Sequence, residues 1–68
     1  MTPDRVTVWN DRTSADPAWI VDVEWGPEAS PTACETVCHC DDEAMAVDFA
    51  REYAAGIGVT FMRIGGAR

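Results

Sequence analysis

The chain has 68 residues, twelve of them acidic against five arginines and no lysine, for a net charge of -7. That balance repels phosphate backbones and anionic lipid surfaces, so direct nucleic-acid binding and membrane binding are not expected. No run approaches the ~18 apolar residues of a membrane span, and the opening MTPDRVTVWN lacks the basic and apolar regions of a secretory leader, so a cytoplasmic protein is expected.

So short a chain makes one domain, 1–68, with 1–4 and 65–68 expected to fray. It buries only about 60% of the surface of its unfolded form, which leaves little stability in reserve. The first element is a β-branched and aromatic run, RVTVW at 5–9, followed by the polar stretch NDRTSADP at 10–17, which reads as a loop. AWIVDVEW at 18–25 alternates, with Trp19, Val21, Val23 and Trp25 on one face and Ile20, Asp22 and Glu24 on the other. GPEASP then breaks the strand, and ACETVCHC offers a third extended run. DDEAMAVDFAREYAAG is helical in composition; at 3.6 residues per turn Ala46, Phe49, Ala50, Tyr53 and Ile57 form its core stripe, opposite Asp48, Arg51, Glu52 and Ala55. Asp41 is the expected N-cap, with Asp42 and Glu43 in the first turn, and Gly56 the expected terminator, followed by an apolar contact from Ile57. VTFMRI at 59–64 completes a β-β-β-α-β order.

Parity suggests how the strands pair. Setting Val8 opposite Trp19 and Val6 opposite Val21 gathers apolar partners on one face. Setting Trp25 opposite Cys34, Val23 opposite Thr36, Val21 opposite Cys38 and Trp19 opposite Cys40 brings all three cysteines to the same face. The expected fold is α+β: a four-stranded mixed sheet of order 4-1-2-3, with its last strand parallel to the first by a right-handed crossover and one helix packed on one side. Trp9, Ile20, Asp22, Glu24, Glu35, Val37 and His39 then share the uncovered face with Thr7. A mixed apolar and acidic face on so small a chain points to a protein partner or a homodimer.

CETVCHC, residues 34–40, holds all three cysteines and the single histidine. Zinc sites take four ligands, commonly from two separated pairs. On a strand, Cys38 and Cys40 share a face about 6.6 Å apart while His39 points the other way, so they do not converge. As a loop, Cys34, Cys38 and Cys40 with His39 would wrap an ion, which makes a zinc-binding module the alternative function. Buried free cysteine is the commoner arrangement, and no cofactor is expected. Redox chemistry is disfavoured because Asp41, Asp42 and Glu43 oppose a thiolate at Cys40 and a Cys38–Cys40 bridge lies at the outer limit of disulfide geometry. His39 beside Glu35 would suit a general base, but a solvated histidine near carboxylates accounts for the pair, and an enzyme is not expected. Gly56 and Gly58 follow a helix instead of preceding one, so they do not form a phosphate loop. Trp9, Trp19 and Trp25 have no basic neighbours to make a nucleic-acid stacking site.

The run CDDEAMAVDFAREYA after a β-hairpin and before VTFMRI resembles small bacterial and phage domains of unknown function. The resemblance is carried by Asp41, Ala44, Ala46, Val47, Ala50, Arg51, Tyr53 and Ala54, within a run that covers about a quarter of the chain. The lack of leucine and glutamine beside abundant Ala, Val, Asp, Gly and Arg resembles proteins of actinobacteria and their phages. The net charge of -7, with Trp9, Ile20 and Val37 beside Asp22, Glu24 and Glu35, leads to the expectation of a small acidic non-enzymatic interaction protein that self-associates or docks on a protein partner; a phage protein occupying the basic groove of a host nucleic-acid-binding protein fits that charge. The resemblance carries no catalytic residues.

Overall fold

The computed structural model describes residues 2–12 and 18–64. Strands β1 (Arg5–Asp11), β2 (Ala18–Trp25) and β3 (Ala33–Cys40) are followed by helix α1 (Glu43–Ile57) and strand β4 (Thr60–Arg63). The sheet has order β3-β2-β1-β4; β1 pairs antiparallel with β2 and parallel with β4, and the helix packs on one face, as expected. Residue 1 and residues 65–68 of the expected frayed ends lie outside the described residues, as do 13–17 of the expected loop. Asp4 does not fray: its N–H donates to the Glu24 carbonyl at 2.8 Å, and its Oδ2 accepts from Gly26 N at 2.6 Å.

The covered face buries Val6, Val8, Val21 and Val23 against Ala46, Ala50 and Ala54. Valine suits the strand because its branched side chain packs well on a pleated surface. Alanine suits the helix because its Cβ lets the helix backbone come down close to that surface. The expected helix stripe therefore needs correction. Phe49 and Ile57 are 37% and 36% exposed, and the buried line is instead the alanine repeat 46, 50, 54. An alanine line allows closer approach than phenylalanine does, which displaces the larger side chains to the flank.

Between β1 and β2 the pairing is displaced by two residues from the expected one, with Val8 opposite Val21 and Val6 opposite Val23. An even slip leaves every side chain on its expected face. The gain is a longer hairpin: β1 runs on through Asn10 and Asp11, which pair with Trp19 and Ala18, and Arg5 comes opposite Glu24. Between β2 and β3 the expected pairs Trp19–Cys40 and Val21–Cys38 form, but an irregularity between Val21 and Asp22 then shifts the register, giving Asp22–Thr36, Val23–Glu35, Glu24–Cys34 and Trp25–Ala33. The one-residue slip exchanges faces for everything N-terminal to Val37. Cys34 and Thr36 go to the face away from the helix, and Glu35 goes to the helix side.

Helix α1 starts one residue later than expected. Asp42, not Asp41, is the N-cap, and its Oδ2 accepts from Met45 N at 3.3 Å. It also ends later. Gly56 lies within the helix, and Gly58 terminates it in the left-handed conformation at φ 75°, its N–H donating to the Ala54 carbonyl. Val59 N also bonds Ala54 O, at 3.0 Å, and Val59 and Phe61 pack against the core. On β4, Phe61 thus faces inward, opposite Val6, and Met62 faces outward, opposite Thr7.

Candidate interaction surface

The face away from the helix is closed at its centre. Ile20 and Asp22 are each 4% exposed and Glu24 is 1% exposed, which corrects the expectation that they present themselves to a partner. Cross-strand hydrogen bonds explain why acids tolerate burial here. Asp22 Oδ2 accepts from the Trp9 indole Nε1 at 2.8 Å, and its Oδ1 accepts from Thr36 Oγ1 at 2.7 Å, so one carboxylate ties β1, β2 and β3 together. Glu24 Oε1 accepts from Arg5 Nη1 at 2.9 Å, and the same guanidinium donates through Nη2 to the Gly26 carbonyl. A buried carboxylate is stable only when paired and hydrogen-bonded in this way. Gly26 is required at this corner. Its φ is +93°, and a Cβ added there would lie 2.8 Å from Thr32 N.

The remaining expected residues are dispersed. Trp9 stays on the far face, half-buried, and His39, opposite Ile20, stays there and is exposed. Glu35 is exposed but lies opposite Val23 on the helix side, so it does not share a face with His39. Val37, at the irregularity, is half-buried and packs against the core. Of the seven expected contact residues, only Trp9 and His39 remain together on an accessible far face.

An apolar surface lies elsewhere, on one flank of the helix. Met45 is 64% exposed, and Met45, Phe49, Tyr53 and Ile57 follow one another at four-residue spacing. The Phe49 and Tyr53 rings stack, with centroids 5.8 Å apart. The opposite flank is turned to β4: Glu43 Oε2 pairs with Arg63 Nη2 at 2.6 Å, and the Arg51 guanidinium sits 5.6 Å from the Phe61 ring centre. At 100° per residue, Phe49 falls about 100° round from Ala50 on the side away from β4, and Met45 about 140° round, toward solvent. β3 is an edge strand of eight residues, and all of them are exposed or half-exposed. This flank was readable in the sequence from the alanine repeat at 46, 50 and 54, which marks the closest-packed line and leaves the phenylalanine line beside it.

The cysteines divide. Cys34 is exposed opposite Glu24, whereas Cys38 and Cys40 sit half-buried on the helix side, with their Sγ atoms 3.4 Å apart. Burial pushes the Cys40 thiol above its ordinary value, the neighbouring Cys38 thiol pushes it further, and the charges of Asp41 and Asp42 add to the effect. The three cysteines therefore do not converge. Among the described residues no group of three or more His, Cys, Asp or Glu side chains is placed to hold a metal ion. No pocket opens among the described residues either, and none of their helices is long and apolar enough to cross a membrane. Comparison with known protein families, with curated proteins and with solved structures finds no match for this chain.

Proposed function

We propose that this chain is a small acidic binding protein that works by contact, taking an extended segment of another protein along the outer edge of β3. What supports the reading is the presence of two incomplete features on one small chain: an eight-residue edge strand, and exposed Met45 and Phe49 on the flank of α1 that is turned away from β4. Strand addition supplies main-chain hydrogen bonds at the edge, and alternate side chains of the added segment turn toward the helix, where exposed apolar surface meets them. The edge strand carries no lysine or proline, two of the residues that commonly discourage such pairing. With a net charge of -7, a segment that interleaves apolar and basic residues is the complementary partner. This keeps the expectation of an acidic interaction protein and moves the surface from the far sheet face to the helix flank, since Asp22 and Glu24 are occupied by internal partners.

The test selects binding segments from a displayed library of random peptides and titrates the enriched sequences into three proteins: the native chain, a Met45→Gln/Phe49→Gln double variant and Trp9→Phe. The expected segments are extended, with alternating apolar positions and arginine or lysine between them. Their binding weakens at least ~10-fold in the double variant, the equivalent of about 1.4 kcal/mol of lost apolar contact. It is unchanged in Trp9→Phe. Undiminished binding by the double variant, or weakening only in Trp9→Phe, overturns the placement. Concentration-dependent sedimentation that the double variant abolishes would make the occupant a second copy of this chain and overturn the segment reading.

A further inference from the structure

We propose that Cys38 and Cys40 form a two-thiolate site for a soft monovalent cation, of which cuprous copper is the representative. The two residues are separated by one position on β3, so both side chains leave the same face of the strand. They lie opposite Val21 and Trp19, beyond the register shift, and their Sγ atoms are 3.4 Å apart, with neither cysteine in a disulfide. Both are half-buried against the core, so the pair is held in place while remaining reachable from solvent.

The count of ligands decides which ion suits the pair. The register shift sends Cys34 to the far face, and His39 points there too, leaving two sulfurs on the helix side. A zinc ion, which is held by four ligands, would be left half-coordinated. A soft monovalent ion prefers thiolate and is satisfied by two. With bonds of the zinc–thiolate length, about 2.3 Å, a linear two-sulfur arrangement sets the sulfurs about 4.6 Å apart, so the pair opens from the 3.4 Å separation of the free thiols on binding. A disulfide is less well suited: two positions along a strand place the Cα atoms about 6.6 Å apart, near the upper limit for a bridge. Binding is a balanced exchange without electron transfer. Two S–H bonds break, two sulfur–metal bonds form, and two protons go to the solvent for each cation taken up. One positive charge enters as two leave, so the loaded site carries one negative charge, which Asp41 and Asp42, next in the chain, oppose less than they oppose the free dithiolate; their hard oxygens do not compete for a soft ion.

The test titrates cuprous ion anaerobically into the reduced full chain against a chromogenic chelator. One ion per chain is expected, retained in Cys34→Ser and lost in Cys38→Ser and in Cys40→Ser, each checked for native circular dichroism. Loss in Cys34→Ser, retention in either of the other variants, or equally tight one-to-one uptake of zinc by the native chain overturns the proposal. A second measurement is independent of the folding of the last two variants. Phenylarsenoxide bridges two adjacent thiols, forming two arsenic–sulfur bonds and releasing one water. With Cys34→Ser, which retains only the proposed pair, intact mass should show one adduct per chain; its absence overturns the assignment.

Discussion

Replacing Asp22 separates a structural carboxylate from a docking one. Asp22 is 4% exposed and accepts two hydrogen bonds, from Trp9 Nε1 at 2.8 Å and Thr36 Oγ1 at 2.7 Å. Hydrogen bonds to an ionised group contribute about 1.5–3 kcal/mol each. Trp9 is half-buried and Thr36 exposed, so water can rescue both donors in part, and the low end of that range applies. Asp22→Ala should therefore cost about 3 kcal/mol. A domain of this length holds roughly 3–10 kcal/mol in total, so the loss is a large share of it. At about 4–8 °C per kcal/mol, the melting temperature should fall by about 12–24 °C. Asp22→Asn keeps one carbonyl oxygen to accept one of the two bonds and should fall between the native chain and the alanine variant. Thermal circular dichroism gives the melting temperature, and urea unfolding followed by the emission of the three tryptophans gives an independent midpoint. A solvated surface acid changes stability by no more than about 0.5 kcal/mol. A shift that small in Asp22→Ala would refute the cross-strand role and return Asp22 to the exposed surface.

The same substitution at two glycines should have opposite signs. Gly56 lies inside α1 with nothing within 4 Å of an added Cβ, so Gly56→Ala should stabilise by about 0.5–1 kcal/mol, read as a raised urea midpoint with unchanged slope. Gly58 holds φ at +75°, so Gly58→Ala should destabilise by about 1–2 kcal/mol; equal effects at the two positions would contradict the helix end described above. Iodoacetamide, which attacks thiolate, should label exposed Cys34 first and Cys40 last at neutral pH. Because burial, Cys38 and the two aspartates all raise the Cys40 thiol, its labelling should be slow at neutral pH and should still be rising with pH past the ordinary thiol value of 9.0, where an unshifted thiol levels off. Peptide mass spectrometry of timed samples reads the order, and equal neutral-pH rates for Cys34 and Cys40 would contradict it.

The element order, the sheet order and the faces of residues 6–9 and 19–25 were legible in the sequence, because alternation has a period of two and apolar parity survives even an error of two residues in register. The helix was legible too, though its ends were each displaced, since Asp41 and Asp42 both make acceptable caps and Gly56 and Gly58 both make acceptable stops. Local chemistry does not choose between such neighbours. The docking of the chain does, by placing Ala46, Ala50 and Ala54 over the valines.

Tertiary structure alone decided the character of the two surfaces. An acid on an outward-facing strand position looks solvated until its cross-strand partners are known; Trp9 and Thr36, reaching Asp22 from two other strands, turn it into part of the framework. The register shift beside Val37 depends on the same non-local contact, because pairing Thr36 with Asp22 requires the slip that separates Cys34 from Cys38 and Cys40. Periodicity carries no information about a single-residue slip, so three cysteines that alternate on one strand in the sequence become one exposed thiol and one adjacent pair in the fold.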